Sequence, residues 1–212
     1  TDKAKELLLN DATDTIDEES QSEVSTTHYF IKHDSIPNMQ LFFNSELNRE
    51  LSILKTLLQK DNFIEYQNEM KNRGNSGGIS ILLYGLSGTG KSSIVGQLAK
   101  HTKRNIFQVD LSQVRSKWWG ESEKNIKQIF EEYKAKCSKS DSIPILVFNE
   151  CDALLGKRNI SSGEEDRHDF TQMTMTNLLL ELFEANKGII IAVTNLPEVL
   201  DKAFLRRFTM KY

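Results

Sequence analysis

The chain has 212 residues, 38% hydrophobic and 27% charged, with 27 Lys and Arg against 30 Asp and Glu for a net charge of −3. One core organises about 100–200 residues, so this length holds one sizeable domain with an appendage and excludes two large domains. The charge balance offers no basic footprint for a polyanion, which disfavours nucleic acid as a partner, and no apolar run nears the ~20 residues that span a bilayer.

The chain opens Thr1, Asp2, Lys3, Lys5, Glu6, a charged start without the apolar core of a signal peptide, and the expected location is the cytoplasm. Residues 1–40 are expected to form an acidic flexible leader, because from Asp11 to Thr27 Asp, Glu, Ser and Thr leave little to bury. Residues 41–77 are expected to be a helical extension. Leu47, Leu51, Leu54, Leu57 and Leu58 recur at helical spacing behind a possible cap at Asn44 or Ser45, and a shorter pattern through Phe63, Ile64, Tyr66 and Met70 ends in Gly74-Asn75-Ser76-Gly77-Gly78.

From residue 78 to 212 strand and helix patterns alternate. Apolar runs at Ile79–Tyr84, Ile106–Val109, Ile143–Phe148 and Gly188–Val193 are separated by helical patterns at Lys91–Lys100, through Ile126, Ile129, Phe130 and Tyr133, and around Leu178–Phe183. This order predicts a parallel α/β sheet with helices on both faces and ligands at the carboxyl ends of its strands.

Straight after the first of these runs stands Gly85-Leu86-Ser87-Gly88-Thr89-Gly90-Lys91-Ser92, followed by Ser93. It fits G-x-x-x-x-G-K-[ST] with the strand and helix the motif requires, so a triphosphate is the expected ligand. Glycines let successive N–H groups turn inward around phosphate, Lys91 supplies a cation to the β- and γ-phosphates, and Ser92 offers its hydroxyl to Mg²⁺. A Gly-rich turn with a surface lysine is the plain alternative.

The run Ile145-Leu146-Val147-Phe148 leads into Asn149-Glu150-Cys151-Asp152. Polar groups at a strand end beside a phosphate loop suit Mg²⁺ and water activation: Asn149 stands where an acid normally helps hold the metal, and Glu150 is the candidate base. An amide accepts hydrogen bonds but brings no charge, which predicts weaker Mg²⁺ binding or slower turnover. Cys151, inside the apolar strand end, reads as a small buried hydrophobe, and with only Cys137 beside it no disulfide framework exists. The scattered His28, His33, His101 and His168 read as surface residues.

Together these residues resemble the AAA branch of the AAA+ ATPases over roughly Gly78 to Tyr212, which implies a P-loop NTPase sheet as the large subdomain. Thr194-Asn195 resembles the sensor 1 position, giving Asn195 the task of placing water near the γ-phosphate. The stretch Leu200-Asp201-Lys202-Ala203-Phe204-Leu205-Arg206-Arg207-Phe208 resembles the second region of homology, so Arg206 or Arg207, with Arg206 favoured by the Ala-x-x-Arg spacing, is expected to reach a neighbour's nucleotide. A basic helix end is the alternative for this pair. Ser116 to Lys124, with Trp118 and Trp119, resembles the first pore loop of substrate-threading relatives such as katanin and spastin; core packing of one or both tryptophans is the alternative. Ile160–His168 lies where a second pore loop is expected.

The resemblance implies ATP and Mg²⁺ as ligands, a ring of like subunits, a hexamer when the lid is present, and a protein substrate to remodel or unfold. The chain stops at Tyr212, before the helical lid with sensor 2, so only the large subdomain is expected. Leu86-Ser87 in place of a proline pair and Asn149 in place of Asp are its departures from the pattern. Bacterial single-ring AAA proteins with a helical N-terminal extension and Asn-Glu at the strand end are similar. Two other functions fit the residues less fully: a nucleotide-gated scaffold with little hydrolysis, and a nucleic-acid remodeller.

Overall fold

The computed structural model describes residues 28–110, 122–152 and 166–212. Within them, short runs rich in β-branched and aromatic residues form the strands β1 (His28–Ile31), β2 (Ile79–Tyr84), β3 (Ile106–Asp110), β4 (Ile145–Asn149) and β5 (Ile189–Thr194), and the two residues Met210–Lys211 add β6. They make one sheet in the order β1-β3-β4-β5-β2-β6. Every pairing is parallel except β1 with β3.

The helices are α1 (Ser45–Leu57), α2 (Lys60–Asn72), α3 (Lys91–Thr102), α4 (Ser122–Lys139), α5 (Asp166–Ala185) and α6 (Lys202–Leu205). Asn44 caps α1, its side chain accepting from the Leu47 amide at 2.8 Å.

Parallel strands buried on both faces need apolar residues at every position, and the pleat then divides them into two cores. Ile79, Ile81 and Leu83 of β2 and Ile189, Ile191 and Val193 of β5 pack with Leu51, Leu54 and Leu58 of the α1 end, Phe63 of α2 and Ile94, Val95 and Leu98 of α3. Their alternates Leu82, Ile190 and Ala192 face Ile126, Ile129 and Phe130 of α4, Leu179 and Phe183 of α5 and Phe204 of α6. Two of the three helices on this face, α1 and α2, thus come from the stretch over 41–77 expected to be helical.

Arg104, only 1% exposed, fastens that layer. Its guanidinium donates to the carbonyls of Leu58 at 2.9 Å and Ile143 at 2.7 Å and lies 5.1 Å from the Phe63 ring centre. Burial lowers its pKa to about 10, so it stays protonated at neutral pH.

The structure differs from the flexible leader expected over 1–40 in its final stretch. His28–Ile31 pair with Ile106–Val109, the His28 ring stacks on Phe107 at 4.9 Å with its Nε2 3.0 Å from the Glu132 carboxylate, and the His33 amide donates to Asn105 at 3.1 Å. His28 therefore belongs to the edge strand and His33 to the turn that follows it, both half-buried rather than plain surface residues. The local acidic pattern ends at residue 27, and the strand that follows finds its partner far along the chain.

Candidate nucleotide site

Strand order decides what meets at the carboxyl edge. Because β5 lies between β4 and β2, the ends of β2, β5 and β4 fall side by side, and the segments leaving them share one cleft. That cleft encloses about 420 Å³ and is lined by Ser87, Gly88, Gly90, Lys91, Ser92 and Ser93 from the loop, Asn149 and Glu150 after β4, and Val193, Thr194 and Asn195 after β5. Three motifs read separately along the sequence are thus brought to one place. A cavity of similar size, about 440 Å³, lies behind α3 against α1 and residues 38–43, but it contains none of these groups.

The loop is shaped by left-handed backbone. Gly88 at φ 80° and Gly90 at φ 90° adopt conformations that L side chains rarely take, and Gly90 caps α3 in that state. Thr89 closes the bend by donating its hydroxyl to the Leu86 carbonyl at 2.8 Å. Leu86 itself is 78% exposed and touches no core.

Lys91, 8% exposed, folds its ammonium back onto the Gly85 and Leu86 carbonyls at 2.7 Å each. Burial holds its pKa below the usual lysine value. These neutral acceptors compensate a desolvated cation incompletely, which suits the group to an arriving anion. The glycine conformations, the helix start and this cation fit a polyphosphate, while Ser92 and Asn149 stand on the same cleft as oxygen donors for Mg²⁺.

Opposite the loop, Glu150 is exposed at φ 50°, one of two described non-glycine residues with positive φ. The turn it makes is anchored on both sides. Cys151, fully buried, donates its amide to the Val193 carbonyl at 3.1 Å, and the Thr194 hydroxyl donates to Asp152 Oδ1 at 2.7 Å. Burial, with Asp152 beside it, pushes the Cys151 thiol up to about 12, which excludes a thiolate nucleophile at neutral pH. The Asp152–Thr194 contact was not legible in the sequence; a polar residue following a strand end was its only signal.

Arg206 and Arg207 do not line the cleft. They follow α6, where Arg207 forms an ion pair with Glu184 of α5, while Arg206 is exposed and has no ion-pair partner among the described residues. Trp118 and Trp119 lie outside the described residues, as does most of the expected second pore loop.

The family model described as "ATPase family associated with various cellular activities (AAA)" matches residues 81–212, well over half of the chain. The chain belongs to the AAA ATPase family. Over 129 residues it is 40% identical to Cell division protein C of Sulfolobus acidocaldarius, covering 60% of this chain and 34% of that protein. It is 35% identical over 134 residues to Protein SUPPRESSOR OF K(+) TRANSPORT GROWTH DEFECT 1 of Arabidopsis thaliana, 61% of this chain and 28% of the relative. Human Vacuolar protein sorting-associated protein 4A is likewise 35% identical, over 130 residues, 60% of this chain and 28% of that protein. The chain therefore spans about a third or less of these relatives' length. The AAA match begins at residue 81, inside β2, so α1 and α2 lie outside the matched stretch although they share its core.

Proposed function

We propose that this AAA protein binds ATP with Mg²⁺ in the 420 Å³ cleft and hydrolyses it to remodel or unfold a protein substrate in the cytoplasm. The observation that carries the reading is the meeting of the glycine loop and Lys91 with Glu150 and Asn195 in that one cleft. The loop amides and Lys91 hold the phosphates, and Ser92 with Asn149 holds the metal, which would supply positive charge for the developing phosphate oxygens. Glu150 accepts the proton of the attacking water and Asn195 orients that water. Asn149 brings no charge to this task, so turnover falls at the slow end for such sites.

Arg206 is assigned to the nucleotide of a neighbouring copy, with Arg207 held by Glu184 in its own chain. Such head-to-tail sharing closes into a ring, and a hexamer is the form proposed. Trp118 and Trp119 would present apolar contact to an extended polypeptide in the ring's channel. A relative named for vacuolar protein sorting, with the acidic charge balance, favours protein over nucleic acid as the substrate.

Calorimetry and phosphate release test the site together. Lys91→Ala should abolish measurable ATP affinity, and Glu150→Gln should bind ATP normally while turnover falls about 100-fold or more. Unchanged turnover in Glu150→Gln removes that residue as the base. Asn149 favours a second reading, a scaffold gated by nucleotide alone; zero turnover with ATP-dependent assembly would establish it.

A further inference from the structure

We propose that Asp152 and Thr194 form a clasp that positions Glu150 and Asn195 relative to each other, making Asp152 a positioning residue for the reaction. The inference rests on the ATPase reading of the same cleft. Neither residue belongs to the phosphate loop, and each stands next to a residue with an assigned chemical role: Asp152 two after Glu150, Thr194 one before Asn195.

Thr194 is 1% exposed at the end of β5, and its hydroxyl serves two partners at once. It donates to Asp152 Oδ1 at 2.7 Å and accepts from the Leu196 amide at 3.0 Å. A buried hydroxyl has one proton to give, so donation to the carboxylate leaves its lone pairs for the amide, and both bonds hold the rotor in one orientation. The Leu196 amide is the first beyond Asn195, so this bond sets the turn on which Asn195 is carried. In the turn after β4, the Cys151 amide reaches the Val193 carbonyl at 3.1 Å. The Glu150 turn thus meets β5 through two successive residues, Cys151 to Val193 and Asp152 to Thr194.

The β4–β5 ladder ends at Phe148 and Ala192; beyond it, a single backbone bond would leave the Glu150 turn free to pivot, whereas a second, charge-assisted bond one residue away removes that pivot. The pivot matters here because Glu150 sits in left-handed backbone at φ 50°. Such a residue keeps its conformation only where its surroundings over-determine it. Releasing Asp152 lets the Glu150 peptide relax toward ordinary φ, carrying the carboxylate away from the place Asn195 defines. Proton acceptance depends steeply on that separation, while phosphate binding, built from Gly85–Ser92 on a different strand, does not. Loss of the clasp therefore acts on the chemical step and spares affinity.

The test uses the full-length protein with Mg²⁺ and ATP, measuring kcat, KM and calorimetric affinity for Asp152→Asn, Asp152→Ala, Thr194→Val and Thr194→Ser. Asp152→Ala and Thr194→Val are expected to lower kcat about 10- to 100-fold with nucleotide affinity within about twofold of the parent. Thr194→Ser, which keeps the hydroxyl, should restore most of kcat, and the Asp152→Ala/Thr194→Val double variant should lose no more than the worse single one. Asp152→Asn, an acceptor without charge, should fall between. The proposal is overturned if Asp152→Ala keeps its kcat, if affinity falls in step with kcat, or if Thr194→Ser fares no better than Thr194→Val. A parent protein with no ATP affinity overturns the ATPase reading itself, and calorimetry on the parent separates that result from failure of the clasp alone.

Discussion

At φ 50°, Glu150 holds a backbone conformation that costs an L residue about 1–2 kcal/mol. A glycine would escape that cost while giving back about 0.5–1 kcal/mol in chain entropy. Glu150→Gly is therefore expected to be at least as stable as the parent, by about 0–1.5 kcal/mol in urea unfolding, and inactive in phosphate release. A variant clearly less stable than the parent would show that the position carries no strain. The same residue marks how far the sequence could be read. Its identity and its place after an apolar run were legible because the motif is contiguous, as were Lys91 and Ser92. Its backbone angle was not, nor was the bond between Asp152 and Thr194, because their partners stand 42 residues apart and no local pattern records them.

Elements were legible where both faces of a strand are buried. Ile79–Tyr84 and Ile189–Thr194 are apolar almost throughout, and their lengths and flanking loops separate them from helices. By contrast, β1 and β6 have four and two residues, and each lies at an edge where only one neighbour supplies hydrogen bonds. Short edge strands carry little pattern of their own, so the pairing of β1 with β3 emerges only in the folded chain. Arg104 was opaque for a related reason. A cation between a helix and a strand reads as solvated, yet this one joins the end of α1 to the strand edge through two carbonyls and a ring. Arg104→Ala leaves both carbonyls without that donor and opens a void, so it should cost about 3–5 kcal/mol in chemical denaturation. Arg104→Lys, with one compact head in place of the fork, should lose less. A loss below about 1 kcal/mol for Arg104→Ala would mean that α1 and α2 hold to the core by apolar packing alone.

At the scale of the whole molecule, the cleft brings together Lys91, Ser92, Asn149 and Glu150 but is lined by no arginine among the described residues, and the exposed Arg206 has no ion-pair partner among them. An arginine acting on a neighbour's nucleotide separates two functions that a single chain would keep together, and mixing exposes the difference. Glu150→Gln lacks the base but can lend its Arg206; Arg206→Ala lacks the arginine but keeps Glu150. Each alone should be nearly inactive, the second because an arginine at a transferring phosphate is worth about 10³–10⁵ in rate. Co-expressed in equal amounts, they place an intact Glu150 against a neighbour's intact Arg206 at about one interface in four, if chains assort at random in a head-to-tail ring. Phosphate release should then return to about a quarter of the parent rate. An arginine acting within its own chain gives no such recovery, because every chain in the mixture still lacks one of the two groups. Arg207→Ala, by comparison, frees Glu184 on an exposed surface and should leave turnover within about twofold, since exposed ion pairs contribute about 0–1 kcal/mol. If Arg207→Ala stops turnover while Arg206→Ala alone keeps it, and the mixture of Arg207→Ala with Glu150→Gln recovers about a quarter of the parent rate, the trans role passes from Arg206 to its neighbour and the Glu184 pair becomes a contact that assembly must break.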